Sequence, residues 1–507
     1  MDEIEKGIFV SKDIERRDGK PADYKVGIPG KLELHILAVV ITELCERYTF
    51  YGNTMMLPAY FLINLNLPRS QVVVRTKAFS FMAYGSTILG SIIADQWLGK
   101  FKTLLYFSLL YFFGTVLTTI SSVSFGSAES RKILFYFALY PMVALGTGGI
   151  KGNVSSFVGD QVHTDYQATG TPGVYRDPGK TIEKCYRYFY WAINMGALLG
   201  MIACPLIVKH SDYPFGFMST SIVLAFAIVI YFSARKRYTI IVPKMSPIAK
   251  VSQCVRYALK NKDSRHAYWL DAARGVENTC WDDRFVDGLA STIRCLKVFA
   301  FFPAYWLLYN NITDNIILQA MRMRVPRWID ASQLNLLVQI AIIILIPIYD
   351  KFTERVLNKR NVRYGPIKRI TTGFIVIIVA YVYMIFLQKK IYSTGPYYDF
   401  TGNGANKESF NDIAVWWQIP IYILIGSSEV FTSVTGLEYA FSQAPEELKS
   451  IMAAAYQFTN CCGSLLGLIL YKLTEDPTIM YLYIGETSVM VVVAIVFWFM
   501  FRRFDTK

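Results

Sequence analysis

Long apolar stretches, twelve of them along 507 residues, constrain the fold of this chain more than any other feature. A helix needs about 20 apolar residues to cross the hydrocarbon core of a bilayer, and each stretch is close to that length. The sequence therefore predicts an all-α membrane protein with twelve transmembrane helices. The predicted spans are 34–63, 77–97, 102–124, 132–157, 187–208, 215–234, 295–320, 333–350, 367–388, 412–442, 451–471 and 481–501.

Composition agrees with a membrane protein. Hydrophobic residues make up 53% of the chain and charged residues only 18%, whereas soluble globular proteins carry about 25% charged residues. A mixed-charge tail precedes the first apolar stretch, so no cleavable signal peptide is expected. The eight cysteines form no CxxC pair. Neither a disulfide framework nor a metal site is predicted, and the cysteines are expected to be small core residues.

Lysine and arginine are concentrated in two loops, after spans six and eight. Such cations are enriched in cytoplasmic loops, so both termini are predicted to be cytoplasmic. The cations of these loops account for the net charge of +14, so nucleic-acid binding is not expected. Two groups of six helices around a central site are typical of secondary transporters. The predicted units are a cytoplasmic tail (1–33), an N-terminal six-helix bundle (34–234), a cytoplasmic linker (235–294), a C-terminal six-helix bundle (295–501) and a second tail (502–507).

Span one carries three ionisable residues where a membrane helix is expected to be apolar. A charge at the bilayer centre costs about 2.5–3.5 kcal/mol on insertion scales, and such residues are usually functional. Glu43 and Arg47 are four residues apart and can pair, and Glu46 adds a second carboxylate. Burial and a like-charged neighbour favour a protonated carboxyl, whereas Arg47 favours the ionised form. The pattern indicates proton handling, with a static salt bridge as the alternative.

Spans four and ten carry charges of opposite sign. Lys151 lies in a glycine-rich stretch, and the span-one glutamates are the expected partners of its ammonium group. Glu429 has no lysine or arginine within ten residues, so a cationic group of a ligand could pair with it. A cation (Lys151 or Arg47) in one half and an anion in the other suggest a zwitterionic ligand at the midplane. The alternatives are a lysine that snorkels to the interface and a glutamate that pairs with another span.

A polar turn follows span two. Residues 90–100 read GSIIADQWLGK, in which small residues permit close helix approach and Asp95, Gly99 and Lys100 lie at the expected cytoplasmic turn. The segment resembles the loop between the second and third helices of the major facilitator superfamily. The alternative is an ordinary charged turn.

Longer motifs resemble those of the proton-coupled oligopeptide transporters, which belong to that superfamily. Residues 43–52, ELCERYTFYG, are similar to the ExxERFxYYG signature of that family. Because several long motifs occur in the expected order, the resemblance covers most of the chain and points to the fungal di- and tripeptide transporter branch. The other matching segments are FYWAINMG (189–196), WDDRFVD (281–287), FPAYW (302–306) and EVFTSVTGLEYAFSQAP (429–445).

The resemblance implies a role for each matching residue. Glu43, Glu46 and Arg47 would couple transport to protons, with Lys151 as their charge partner. Lys151 would also attract the peptide carboxylate, and Glu429 would receive the peptide amino group. Four further residues match positions that line the peptide cavity in the family, for each of which a plain helix–helix contact is the alternative. They are Tyr51, Tyr84, Asn194 and Asn335.

Two positions depart from the family pattern. Thr54 stands where many bacterial members have an arginine, so the carboxylate pocket is expected to depend more on Lys151. Asn310 stands where many members have an acid on helix seven, and asparagine cannot titrate. Asp314, one turn further on, is either its replacement or a residue exposed at the outer end of the helix.

These residues predict a symporter that imports di- and tripeptides with protons by alternating access. The alternatives are a transporter of another solute, such as nitrate or an amino acid, on the same fold, and a peptide-binding sensor without net transport. No nucleotide loop, metal-ligand cluster or catalytic triad is visible, so the chain is not expected to be an enzyme. We expect no cofactor besides the coupling proton, a monomer in the lipid bilayer, and a location in the plasma membrane.

Overall fold

Helices dominate the structure, which is a computed structural model. It describes residues 24 to 503 apart from 25, 124–125, 164, 242–246, 262–267, 277–278, 353–364, 402–404, 438 and 440–447. The prediction of a helical protein is confirmed for this part of the chain. The last residues of the tenth-helix motif, 440–445, lie outside the described residues.

Eight α-helices form the first part of the chain. Short π-helical turns extend three of them, at Tyr60–Asn64, Ala94–Leu98 and Leu139–Ala144. The helices are α1 (Leu34–Ala59), α2 (Arg69–Ile93), α3 (Gly99–Ser122), α4 (Ala128–Ala138), α5 (Leu145–Lys151), α6 (Val154–Asp160), α7 (Pro178–His210) and α8 (Tyr213–Ser233).

Nine α-helices form the rest of the described chain. Five 3₁₀ turns lie between or beside them, at Trp269–Ala273, Asn310–Thr313, Ala331–Asn335, Val415–Gln418 and Tyr471–Thr474. The helices are α9 (Pro247–Lys260), α10 (Asp283–Phe299), α11 (Phe302–Tyr309), α12 (Asn315–Ala320), α13 (Leu336–Phe352), α14 (Pro366–Ser393), α15 (Ile419–Glu429), α16 (Lys449–Ile469) and α17 (Ile479–Phe501).

A small sheet beside the helices was not predicted. It has three strands, β1 (Val26–Pro29), β2 (Gln167–Ala168) and β3 (Val174–Asp177), in the order β1-β3-β2. β1 runs parallel to β3, and β2 is antiparallel to it. The strands are only two to four residues long, too short for an alternation of apolar residues to predict them. The sheet ties the segment before α1 to the loop before α7.

Seven helical segments of the described chain are long and apolar enough to cross a membrane. Predicted span one, whose helix α1 contains three charged residues, is not among them. Predicted span seven is divided among the end of α10, α11 and α12. Predicted spans two and three follow each other without a loop between them. The chain turns at Gly99, whose φ of 75° favours glycine. The seven segments are Arg69–Ser122, Ala128–Asp160, Pro178–His210, Tyr213–Ser233, Pro366–Ser393, Val415–Leu437 and Ile479–Phe501.

Several helices begin well before the predicted spans. α2 begins at Arg69 rather than 77, and α7 begins at Pro178 rather than 187. The Asp177 side chain caps α7 by accepting a hydrogen bond from the Gly179 backbone N–H at 2.9 Å. The predicted boundary between linker and C-terminal bundle, at 294–295, falls inside α10, which begins at Asp283. Apolarity locates the part of a helix that lipid covers, whereas polar end turns extend beyond it.

The buried apolar side chains form two main clusters. One contains residues from Ile36 to Tyr238 together with Leu318, and the other contains residues from Cys295 to Phe501. Glycines allow close helix packing within the first cluster. A Cβ at Gly90 in α2 would lie 2.6 Å from the Gly149 Cα in α5. The glycines of the Lys151 segment therefore admit a neighbouring helix.

Candidate functional site

The three charged residues of α1 form a buried group inside the N-terminal half. Arg47 Nε lies 3.1 Å from Glu43 Oε1, and the Arg47 guanidinium also contacts the Glu46 carboxylate. All three side chains are buried. The helical spacing brings Glu43 and Arg47 onto one face, as predicted. Glu43 Oε2 is buried and accepts no hydrogen bond from the described residues.

Helix α5 contributes a hydroxyl and an ammonium group. The Thr147 hydroxyl donates a hydrogen bond to Glu46 Oε1 at 2.6 Å. Lys151, one turn further along α5, makes no ion pair or hydrogen bond with a described residue. Its ammonium instead lies 4.0 Å from the ring centroid of Tyr84, a cation–π contact. Lys151 also lies close enough to Glu43 and Glu46 to interact with them electrostatically, at longer range than an ion pair.

Glu429 ends α15 in the C-terminal half. The Tyr309 hydroxyl donates a hydrogen bond to Glu429 Oε2 at 2.5 Å. Within the described chain, the Glu429 carboxylate has no lysine, arginine or histidine as an ion-pair partner. The alternative prediction of a partner cation on another span is therefore not met among those residues.

Two tyrosines lie between these groups. Tyr51 in α1 is close enough to both Arg47 and Glu429 to interact electrostatically. Tyr84 in α2 faces the Lys151 ammonium and also lies near Tyr51 and Glu429. Both tyrosines thus lie near charges of the N-terminal half and near Glu429 of the C-terminal half.

The two predicted asparagines make helix contacts. Asn194 Nδ2 donates to the Tyr190 carbonyl, one turn earlier in α7, at 2.8 Å. Asn335 Nδ2 donates to the Ile312 carbonyl at 2.8 Å. Asn335 Oδ1, however, is buried and has no hydrogen-bond partner among the described residues. It retains an acceptor position.

The polar turn after α2 has an additional member. Lys100 pairs with Asp160 at 2.5 Å, and Asp95 lies near both of them. Asp160 ends α6 and was not predicted. Gly99 provides the left-handed backbone at which the chain changes direction. The turn therefore fastens α3 to α6.

Comparison with known proteins decides the family. A family model described as PTR2, POT family, matches residues 101–499. The chain belongs to the POT family. Consistent with that assignment, it is 32% identical to the probable peptide transporter ptr2 of Schizosaccharomyces pombe over 94% of this chain and 79% of the relative. The peptide transporter PTR2 of Saccharomyces cerevisiae is 29% identical, over 94% and 80%.

Solved structures show the same fold. The crystal structure of the POT family transporter PepTSo aligns with a TM-score of 0.78 at 24% sequence identity. The alignment covers 94% of this chain and 99% of that chain. This POT-family chain is thus a multi-pass, helical membrane protein.

The departures from the POT-family pattern have structural counterparts. The buried Thr54 hydroxyl donates to the Phe50 carbonyl at 2.8 Å, within its own helix. Asn310 Nδ2 donates to Asn460 Oδ1 at 2.9 Å, which joins α16 to the turn after α11. Asp314 is completely buried rather than exposed, and its Oδ2 lies 3.1 Å from Lys77 Nζ of α2.

Sequence reasoning missed Lys77 and Glu486. Both are charged residues inside apolar helices, and both are buried. The signal was present, since the rule that marked Glu43 and Glu429 applies equally to them. Lys77 is the first residue of predicted span 77–97, and a lysine is common at the end of a membrane helix.

Several contacts join the two halves at one end of this POT-family chain, the end that carries the turn between α1 and α2. Arg69 and Asp476, both buried, lie 3.4 Å apart, and Asp476 also contacts Arg322 at 3.3 Å. The halves are closed against each other there. The further contacts are Ser70 N with Glu475 Oε1 at 2.8 Å, Lys407 Nζ with Asn66 Oδ1 at 2.5 Å, Gln333 Nε2 with the Ile202 carbonyl at 3.2 Å, and Lys209 with the Ile329 carbonyl.

Proposed function

We propose that this chain imports di- and tripeptides together with protons by alternating access. The relatives that it matches over most of its length are named peptide transporters, not enzymes. One structural observation carries the proposal: Lys151 and Glu429 lie in opposite halves, and neither forms an ion pair with a described residue. Both side chains are only partly exposed. A poorly solvated charge without an ion-pair partner is costly, so each is available to an oppositely charged ligand group.

A peptide zwitterion has both of the required groups. Its carboxylate would approach Lys151, and its amino group would approach Glu429. Tyr51 and Tyr84 lie between the two charges and would contact the peptide backbone. The free acceptor of Asn335 would receive a peptide N–H. Asn194 would line the cavity from α7.

Protons would be carried by the charged group of α1. Among the described residues, Glu46 is held by Arg47 and by the Thr147 hydroxyl, whereas Glu43 is paired with Arg47 and receives no such hydroxyl. The group contains two carboxylates and one guanidinium. Uptake of one proton would balance it and weaken the hold of Arg47 on a glutamate. We infer that protonation and peptide binding favour each other, with Lys151 as a nearby charge partner.

The available driving force is sufficient for accumulation. One proton moving down about 100 mV yields about 2.3 kcal/mol. A difference of one pH unit adds about 1.4 kcal/mol. Together these would support a roughly several-hundred-fold accumulation of a neutral zwitterion, since about 1.4 kcal/mol corresponds to a factor of ten.

The proposal includes an architecture. Twelve spans would form two bundles, 34–234 and 295–501, joined by a cytoplasmic linker at 235–294, with the tails 1–33 and 502–507 also cytoplasmic. The end closed by Arg69 and Asp476 would then face outward. The halves would rock around the central site. The protein would act as a monomer in the lipid bilayer of the plasma membrane.

Substitution of Glu429 tests the ligand assignment. Wild-type protein in proteoliposomes should prefer a labelled dipeptide to its N-acetylated form, because acetylation removes the positive charge. Glu429→Gln should take up the free dipeptide at least about tenfold more slowly, since a hydrogen bond to a charged group is worth about 1.5–3 kcal/mol. It should also lose the preference for the free amino group.

Ser427→Ala provides a matched control, because within the described chain the Ser427 hydroxyl bonds only the Ile423 carbonyl of its own helix. It should behave like the wild type. Unchanged uptake and preference in Glu429→Gln would remove Glu429 from the site.

A further inference from the structure

A second buried charge group lies where the two halves meet. Lys77 of α2 contacts Asp314 at 3.1 Å and Asn311 Oδ1 at 3.0 Å. Asn311 Nδ2 in turn donates to Glu486 Oε2 of α17 at 2.9 Å. We call these four residues the interhalf group. It contains one cation and two carboxyl groups, and each charged member is at most 4% exposed.

The two carboxyl groups have different surroundings. Asp314 Oδ2 lies beside the Lys77 ammonium and accepts a hydrogen bond from the Thr76 hydroxyl at 3.2 Å. Asp314 Oδ1 accepts the Asn315 backbone N–H at 2.6 Å. An ammonium group and two further donors satisfy a negative charge. Asp314 is therefore the ionised acid of the group.

Glu486 receives much less compensation. Its described hydrogen bond comes from the neutral amide of Asn311, and it makes no ion pair with a described residue. The titratable groups around it are Lys77 from α2, Asp314 from the turn before α12, Tyr381 from α14 and Tyr483 from its own helix. Lys77 is already paired with Asp314, and the tyrosines carry no positive charge. An ionised Glu486 would be a buried, unbalanced negative charge.

We propose that Glu486 binds a proton when the two halves are closed, as a second proton site separate from the charged group of α1. A neutral Glu486 gives the interhalf group no net charge, with Lys77 and Asp314 ionised. It also keeps a carbonyl oxygen to accept the Asn311 hydrogen bond. The site rests on the geometry of this group, and its part in transport rests on the proposed function.

Opening of the closed end would change this balance. Lys77 belongs to the N-terminal half, whereas Asp314, Asn311 and Glu486 belong to the C-terminal half. Separation of the halves removes the cation and admits water, so Glu486 can exchange its proton with the outer solution. On closure, Glu486 must again be neutral. External protons would therefore favour closure at this site.

Infrared spectra of the reconstituted protein test the proton directly, without peptide. The wild-type minus Glu486→Gln difference spectrum at neutral pH should contain the carbonyl band of a protonated carboxyl, shifted in deuterated water. The wild-type minus Lys77→Met/Asp314→Asn spectrum should contain carboxylate bands instead, because the double variant leaves no cation that would ionise Glu486. Carboxylate bands for Glu486, or loss of the protonated band in that double variant, would overturn the proposal.

Transport provides a second readout. Glu486→Gln imitates the protonated side chain, so dipeptide counterflow should remain within about threefold of the wild type. Its dependence on external pH should be shallower than in the wild type. A pH profile identical to the wild type would contradict the part assigned to Glu486 in transport. Absence of dipeptide flux in the wild type would count against the proposed function and leave the infrared result standing.

Discussion

Two buried groups with the same kinds of charge differ in which halves of the molecule their members come from. The group of α1 contains Glu43, Glu46 and Arg47 within five consecutive residues. The interhalf group joins α2 to the C-terminal half through Lys77 and Asp314. Each has one cation and two carboxyl groups. In the proposed rocking motion the first would move with one half as a unit, whereas the second would be broken when the halves separate.

The two charge groups are therefore suited to different roles in the proposed transport cycle. A group inside one half can change its protonation without changing how the halves meet, and is suited to respond to the ligand through Tyr51 and Lys151. The interhalf group is coupled to separation of the halves because its members lie in both of them. Two proton sites with separate tasks are the expected consequence.

The largest expected effect comes from the α1 group. Glu46→Gln removes the carboxylate that both Arg47 and Thr147 hold, so accumulation of a labelled dipeptide should fall from roughly several-hundred-fold to about onefold. Exchange without a gradient should persist. The matched control is Glu183→Gln, a partly exposed glutamate of α7 that pairs with Arg187. Full accumulation by Glu46→Gln would contradict the coupling role.

Loss of Lys77 should be the next largest effect. Lys77→Met leaves Asp314 as a buried, unpaired charge, which costs about 3–5 kcal/mol when one partner of a buried pair is removed. The closed end should open, and dipeptide counterflow should slow by about a hundredfold or more. The double variant Lys77→Met/Asp314→Asn removes both charges and should recover much of the rate. No recovery would mean that the pair is not the reason for the loss.

Arg69 should matter less than Lys77. Asp476 keeps its contacts with Arg322 and with the Tyr392 hydroxyl, which donates at 2.6 Å, when Arg69 is removed. Arg69→Gln should therefore weaken closure by about 1–1.5 kcal/mol, a change of about tenfold in the open-to-closed ratio. Labelling of a cysteine introduced at Ser70 would measure that ratio. An effect larger than that of Lys77→Met would reverse the assigned order.

The smallest expected effect is at Thr147. Thr147→Val removes one hydrogen bond to Glu46 while Arg47 remains, at a net cost of about 1 kcal/mol. Half-maximal uptake should shift along the pH axis by less than one unit. Thr147→Ser keeps the hydroxyl and should restore the wild-type profile. A shift with Ser as large as with Val would assign the effect to packing rather than to the hydrogen bond.

The same contrast explains what the sequence could predict. The α1 group was predicted because a helical spacing of four residues places Glu43 beside Arg47 whatever the rest of the fold does. The helical class followed from apolar stretches. Lys77 and Asp314 are separated by more than two hundred residues, and no local sequence pattern predicts their contact. The contact of Lys151 with Tyr84 likewise depends on how α2 and α5 pack.

The most direct test of proton-driven peptide transport is uptake of a labelled dipeptide by proteoliposomes under an imposed inward proton gradient. The account predicts accumulation above the external concentration that collapses when an uncoupler is added. It also predicts competition by unlabelled dipeptides but not by nitrate. Folded, correctly oriented protein that equilibrates the dipeptide without accumulation, or does not take it up at all, would contradict the account.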